Sequence, residues 1–343
     1  MKKTLTMVAL SAALAGAAQT QSLQAVATLS VYAAVTREIG GDRVEATSIA
    51  RGDEDAHFVK PKPSFALRLK SAELFVTTGL DLELWAPILV DKSGNRSIRD
   101  GQPGFVSASQ GVELLDVPVS ASREAGDVHI YGNPHVHTSP IAIKRVAANI
   151  AAGLERVDPA GAAVYRRNLE DFRQRIDEAL YGPELLPLLG SETLDTLAAQ
   201  GKLIAFLESQ RFEDRPMIDR LGGWLGRGLA FRGRKIIAYH KNWIYFTDLF
   251  GLEVVDYVEP KPGIPPSARH VKELIDEIEE QGIEVLIAAN YFDAKKPQTI
   301  ADRTGARAVI LPLGTGVGGA ADYFALVDLW VDSVARAFAG GGV

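Results

Sequence analysis

Short apolar, β-rich runs alternate with helix-period stripes along most of the chain. Residues 27–33 (ATLSVYA), 44–50 and 73–78 read as strands, and the apolar segments between them as helices. Such alternation predicts parallel strands in an α/β lobe. A helical middle follows. Ile143, Val146, Ala147, Ile150, Leu154 and Val157 form a stripe over 141–157, which Asp158-Pro159 breaks. Tyr165, Leu169, Phe172, Ile176 and Leu180 mark one long amphipathic helix over 160–180. The segment 181–232 opens on the turn residues Gly182-Pro183, Pro187 and Gly190, and within it 192–208 fits a helix ending in a strand-like LIAFL. A second alternating region follows. Residues 235–239, 253–258, 285–288 and 308–311 are strand-like. Val271, Leu274, Ile275 and Ile278 mark a helix closed by Gly282, and Tyr323, Val327, Trp330 and Val334 a C-terminal helix.

The N-terminus does not fit this pattern. Lys2 and Lys3 precede a small-residue apolar run over 5–18 that contains Ala15-Gly16-Ala17, and polar Gln19, Thr20 and Gln21 follow. Residues 1–18 therefore read as a cleaved secretory signal peptide, too short to span a bilayer. No later stretch is long and apolar enough to span one. The chain has 343 residues and no cysteine. That excludes a disulfide framework, Cys-based zinc or iron–sulfur ligation, thiol catalysis and a lipidated N-terminal Cys. The expectation is a periplasmic protein that is not a lipoprotein. Lys plus Arg number 37 and Asp plus Glu 43, for a net charge of −6, which disfavours nucleic acid as a partner.

Six histidines carry the candidate chemistry. His57 lies in GDEDAHFVKPKPS, past a strand end and after Asp53, Glu54 and Asp55. His135 lies in GNPHVHTSP, before a helix for which Ser139 is the N-cap and Pro140 the first residue. His240 lies in KIIAYHKNWIYF at the carboxyl end of a strand, where open α/β sheets place ligands. Each alone is a weak signal. Three on separate loops of two lobes suggest a metal, since neutral imidazole is the commonest protein ligand for zinc. The three acids could accept ring N–H groups. His129, in a polar loop with Asp127, and His270, at a helix start, read as bystanders. His137 reads as a helix-start residue. GTGVGGA at 314–320 lacks the spacing of a phosphate loop, and neither G-x-S-x-G nor HExxH occurs.

With these motifs in place, the region from about residue 27 to 337 resembles the metal-binding solute-binding proteins of zinc and manganese ABC transporters. TREIGGDRVEATSIARGDEDAH is similar to that family's first strand–helix–strand unit and first ligand histidine. PSFALRLKSAELFVTTGLDLELW matches the stretch after it, with its Gly79 turn and Glu83/Trp85 pair. NPHVHTSP and YHKNWIYFTDLFGLEVV are similar to the second and third ligand motifs. The resemblance implies His57, His135 and His240 as ligands. It also implies an α/β fold of two lobes with mostly parallel sheets, joined by one long connecting helix, with the metal at the lobe interface. The expected organisation is a lobe over 27–157, a connecting helix over 158–182, a helical or irregular insertion over 183–232 and a second lobe over 233–338.

Three departures from the family pattern bear on the site. His137 stands where the family usually has Trp. The stretch 116–132 is short and holds one His, where many zinc members carry a long His-rich loop. Leu311, in Leu311-Pro312-Leu313-Gly314, falls where the family often has a fourth ligand Asp. The expected function is capture of Zn2+, with Mn2+ second, and delivery to a permease and its ATPase by a monomer that is not an enzyme. Water is the expected fourth ligand and His137 the next choice. The alternatives are a manganese-specific member of the family, a metal-stabilised adhesin, against which the missing lipid-attachment Cys counts, and a secreted zinc hydrolase. The last needs a general base, for which Asp55 or Glu208 is available.

Overall fold

In the computed structural model, which describes residues 22–118, 129–259 and 263–341, two parallel sheets face each other across a layer of helices. The signal-peptide segment lies outside the described residues, as do most of the 116–132 loop and the end of the C-terminal glycine tail. The first lobe runs β1 (Leu23–Ala27), α1 (Ser30–Gly40), β2 (Val44–Ser48), α2 (Pro63–Lys70), β3 (Leu74–Thr77), α3 (Ala86–Ser93) and β4 (Phe105–Ser107), with strand order β2-β1-β3-β4. The middle contributes α4 (Pro140–Val157) and α5 (Ala162–Tyr181). After it come α6 (Leu186–Leu189), α7 (Ser191–Ala199), α8 (Leu203–Ser209), the two-residue strands β5 (Arg211–Phe212) and β6 (Arg215–Pro216), and α9 (Gly223–Gly228). The second lobe runs β7 (Lys235–Ala238), α10 (Ile244–Phe250), β8 (Glu253–Tyr257), α11 (Ala268–Gln281), β9 (Val285–Ala289), α12 (Lys295–Thr304), β10 (Arg307–Leu311) and α13 (Tyr323–Phe338). Its strand order is β10-β9-β7-β8.

Both sheets are covered on both faces, as parallel sheets are. Ala25 and Ala27 of β1 point into the central core with α1, α4 and α5, while Val26 points to the other side with Leu69, Phe75 and Leu89. In the second lobe Ile236, Val285 and Ile287 join that same central core, and Ile237, Leu286 and Ala288 pack outward with Leu274 and Ile278. The helix α5 touches α1, α4 and α9. Among the described residues no helix is long and apolar enough to cross a membrane.

Local chemistry explains several boundaries. Ser139 accepts the Ala142 amide (3.2 Å) and Pro140 opens α4. Asp158 ends it and receives Arg43 Nη2 (2.7 Å). Gly282 adopts the left-handed conformation that closes α11. The structure corrects the pattern reading in three places. Residues 27–33 are not a strand: the strand is Leu23–Ala27, and Ser30 already begins α1. The reason is that Val31, Tyr32, Ala33, Ala34 and Val35 are all buried, so the helix is apolar on every side there and shows no 3.6-residue period. The LIAFL segment is helix, separated from α7 by a turn at Gly201 (φ 67°). The three-residue strand β4 was too short to show alternation.

Candidate metal centre

The loops at the carboxyl ends of β2, β4 and β7 meet between the lobes, and each carries a histidine to that place. His57 sits in a single 3-10 turn, Ala56–Phe58, that Asp55 caps. The Asp55 Oδ1 accepts both the His57 amide (3.0 Å) and its Nδ1–H (2.7 Å). The Trp85 indole donates to the Ala56 carbonyl (2.7 Å) and anchors the same turn. Nearby, buried Glu83 accepts Thr28 Oγ1 (2.6 Å), Thr77 Oγ1 (3.0 Å) and the Thr78 amide (2.9 Å), fastening the end of β1 to that of β3. The Glu83/Trp85 pair thus has two separate structural tasks.

His135 is set by Asn133. The Asn133 Oδ1 accepts the His135 amide (3.0 Å) and, at 2.9 Å, its Nδ1–H. The Asn133 amide nitrogen donates to the Lys241 carbonyl (2.9 Å), which fixes the orientation of the side chain. Tyr245 Oη donates to the Asn133 carbonyl (2.6 Å). Because Lys241 follows His240, these bonds latch the His135 loop directly onto the His240 loop. His240 follows β7 and is buried, and its Nδ1 has no partner among the described residues.

The ring centroids of His57 and His135 are 5.2 Å apart, and His240 stands 6.2 Å from each. Imidazoles bound to one tetrahedral zinc, with Zn–N near 2.0–2.1 Å, have centroids about 5.2 Å apart. The three rings are thus within about 1 Å of that spacing. Among the described residues, no three His, Asp or Glu side chains stand in the geometry that holds a metal ion, so the rings gather without forming a closed ligand set. A cavity of about 30 Å3 beside the rings is lined by Asp55, His57, His135, His137 and Tyr291.

Electrostatics favours the neutral form at four of the rings. Burial first, and then the neighbouring His57, pushes His240 and His137 down to about 4 and His129 to about 3, and holds His135 well below its ordinary value. Burial alone would raise the Asp55 carboxyl, but its bonds and charge interaction with His57 outweigh this and keep it below the usual carboxylate range. With Asp55 and Asn133 accepting from the Nδ1 atoms, the tautomer that either ring adopts when neutral puts its lone pair on Nε2, the form a metal needs.

The remaining candidates fall as follows. His129 is not apart from the site: its Nε2 stands 3.1 Å from that of His57, and its ring lies 5.2 Å from His57 and 6.1 Å from His135. A composition-based reading misses it because the turn that folds it back is not a periodic feature. The available signal was the Gly132-Asn133-Pro134 turn between His129 and His135. His137 is fully buried, edge-on to Tyr32, and its Nδ1 has no partner among the described residues. His270 lies in the first turn of α11 and donates to the Tyr257 carbonyl (2.8 Å). Asp53 pairs with Arg51 in solvent, and Glu208 is exposed on α8. Leu311 is buried at the end of β10. A larger cleft of about 1200 Å3 lies elsewhere, between α4, α5 and α7. Its buried Lys144 is neutralised by Asp177 and Asp195, and it brings no histidines together.

A family model described as the periplasmic zinc-uptake complex component A matches residues 25–180 and 216–337. Among curated proteins, the iron-binding protein YfeA of Yersinia pestis is 24% identical over 326 residues, spanning 93% of this chain and 87% of that protein. The high-affinity zinc uptake system protein ZnuA of Bacillus subtilis is 21% identical over 284 residues (80% and 73%). The manganese ABC transporter substrate-binding lipoprotein PsaA of Streptococcus anginosus is 27% identical over 192 residues (55% and 57%). Among solved structures, a zinc-bound ZnuA deletion mutant superimposes with a TM-score of 0.67 at 24% identity, covering 92% of this chain and 98% of that one. At this identity the likeness establishes the fold.

Proposed function

Because the chain belongs to the family of the periplasmic zinc-uptake complex component A, we propose that it captures Zn2+ through His57, His135 and His240 and passes it to an ABC permease for import. The family consists of solute-binding components of metal ABC transporters, which work with a permease and an ATPase, and not of enzymes. Its relatives carry the names of zinc, manganese and iron, so the choice of metal rests on the donors in this chain.

The observation that carries the reading is the convergence of three imidazoles from separate loops at 5.2–6.2 Å, two of them with their Nδ1 protons assigned to Asp55 and Asn133. Imidazole suits zinc, whereas manganese favours carboxylate, carbonyl and water oxygens. The position where the family often has an aspartate holds buried Leu311, so no carboxylate enters there. The chain is read as exported by its N-terminal segment, processed after residue 18, and folded as lobes over 27–157 and 233–338 around the helical middle.

Metal content tests this. Protein recovered from an oxidising export compartment without an affinity tag should carry zinc at one ion per chain. Replacing His57, His135 or His240 by Ala should each remove most of it. Full zinc occupancy in the His240→Ala variant would refute the assignment.

A further inference from the structure

Resting on that reading, we infer that His129 supplies a fourth nitrogen to the captured metal, so that the site is an all-imidazole one, with neither a carboxylate nor water as the fourth ligand. The placement of four rings carries this. Of the six pairs among His57, His129, His135 and His240, five have centroids 5.2–6.2 Å apart. By this measure His129 is as close to its neighbours as His240 is. The Nε2 atoms of His57 and His129 share a hydrogen bond at 3.1 Å. Two nitrogens bound to one tetrahedral zinc lie about 3.3 Å apart. With the His57 Nδ1–H given to Asp55, His57 Nε2 accepts and His129 Nε2–H donates, so a metal bound there takes the place of that one proton and receives both lone pairs.

The backbone holds His129 there. The Gly132 amide donates to the His129 carbonyl (3.1 Å), and the Asn133 amide to the Leu115 carbonyl (2.8 Å), so the returning strand of the loop is pinned at its base. Gly132 has φ 116°, and a Cβ there would stand 3.0 Å from Leu114 Cβ and 3.1 Å from Val117 Cγ2. Only glycine fits that reversal without strain. The rival donor, His137, has one close histidine ring among the described residues, His135 at 6.1 Å.

Four neutral nitrogens would leave the ion with no oxygen donor. The site should then discriminate against manganese more strongly than a site of three histidines and one oxygen. X-ray absorption of the zinc-loaded protein, together with chelator-competition affinities, separates the possibilities. The wild type should show four imidazoles. His129→Gln should show three with one oxygen, bind zinc at least about tenfold more weakly, and lose part of its preference over manganese. His137→Ala should keep all four. A His129→Gln variant with an unchanged imidazole count and affinity would overturn the inference while leaving the three-histidine reading in place. So would loss of the fourth imidazole in His137→Ala. A wild type that holds no zinc would overturn both.

Discussion

A histidine can bind a metal only if a lone pair faces the ion, and hydrogen bonds to the other ring nitrogen decide where that lone pair is. Asp55 and Asn133 do this for His57 and His135. The same burial that keeps the rings neutral makes the protein acid-sensitive. In the unfolded chain each ring titrates near ~6.5. In the folded chain burial pushes His137 and His240 down to about 4 and His129 down to about 3. Below ~6.5 the unfolded chain therefore takes up protons that the folded chain refuses. Stability is at its full value above that pH and declines as pH falls toward about 4. Urea titrations of metal-free protein should show the midpoint dropping across this window. A midpoint that stays level, or rises with acid, would contradict the neutral, buried rings.

At the scale of elements, the seam between the lobes depends on two glycines. A Cβ on Gly314 would stand 2.5 Å from Gly52 Cα and 2.5 Å from Ser30 Oγ, and one on Gly52 would stand 2.4 Å from the Thr315 carbonyl oxygen. Backbone meets backbone there, beside the small cavity that His57 and His135 line. Gly314→Ala should cost about 1–3 kcal/mol by overpacking and, on the proposed reading, weaken zinc binding, since it pushes on the Gly52 segment that leads to His57. Thermal melts and zinc titrations would check both effects, and wild-type values for this variant would show that the seam yields freely. The glycines of 314–320 were visible in the sequence only as a failed phosphate loop, because close approach between distant segments leaves no local signature.

Other features were legible because their causes are local. The Ser139-Pro140 start of α4, its end at Asp158 and the Gly282 cap of α11 each follow from one side chain or one φ angle. The placement of His57 and His240 past strand ends and of His135 just before a helix was legible for the same reason. The start of α1 was hidden by burial on all sides. His129 was hidden because its place depends on a reversal at Gly132 and on the ring of His57, which is 72 residues away in the chain.

Across the whole molecule, the lobes are tied by more than the metal loops. The helix α5 packs on α1, α4 and α9, and α1 also touches α13. The Tyr245 to Asn133 and Asn133 to Lys241 bonds add a polar latch. The proposed ligands therefore sit on a frame that is largely assembled, and on this reading metal choice falls to the donor atoms. The most direct test is a competition titration in which zinc and manganese contend for the wild-type protein. The account predicts one saturable zinc per chain that excess manganese does not displace. Displacement of zinc by equimolar manganese would contradict it.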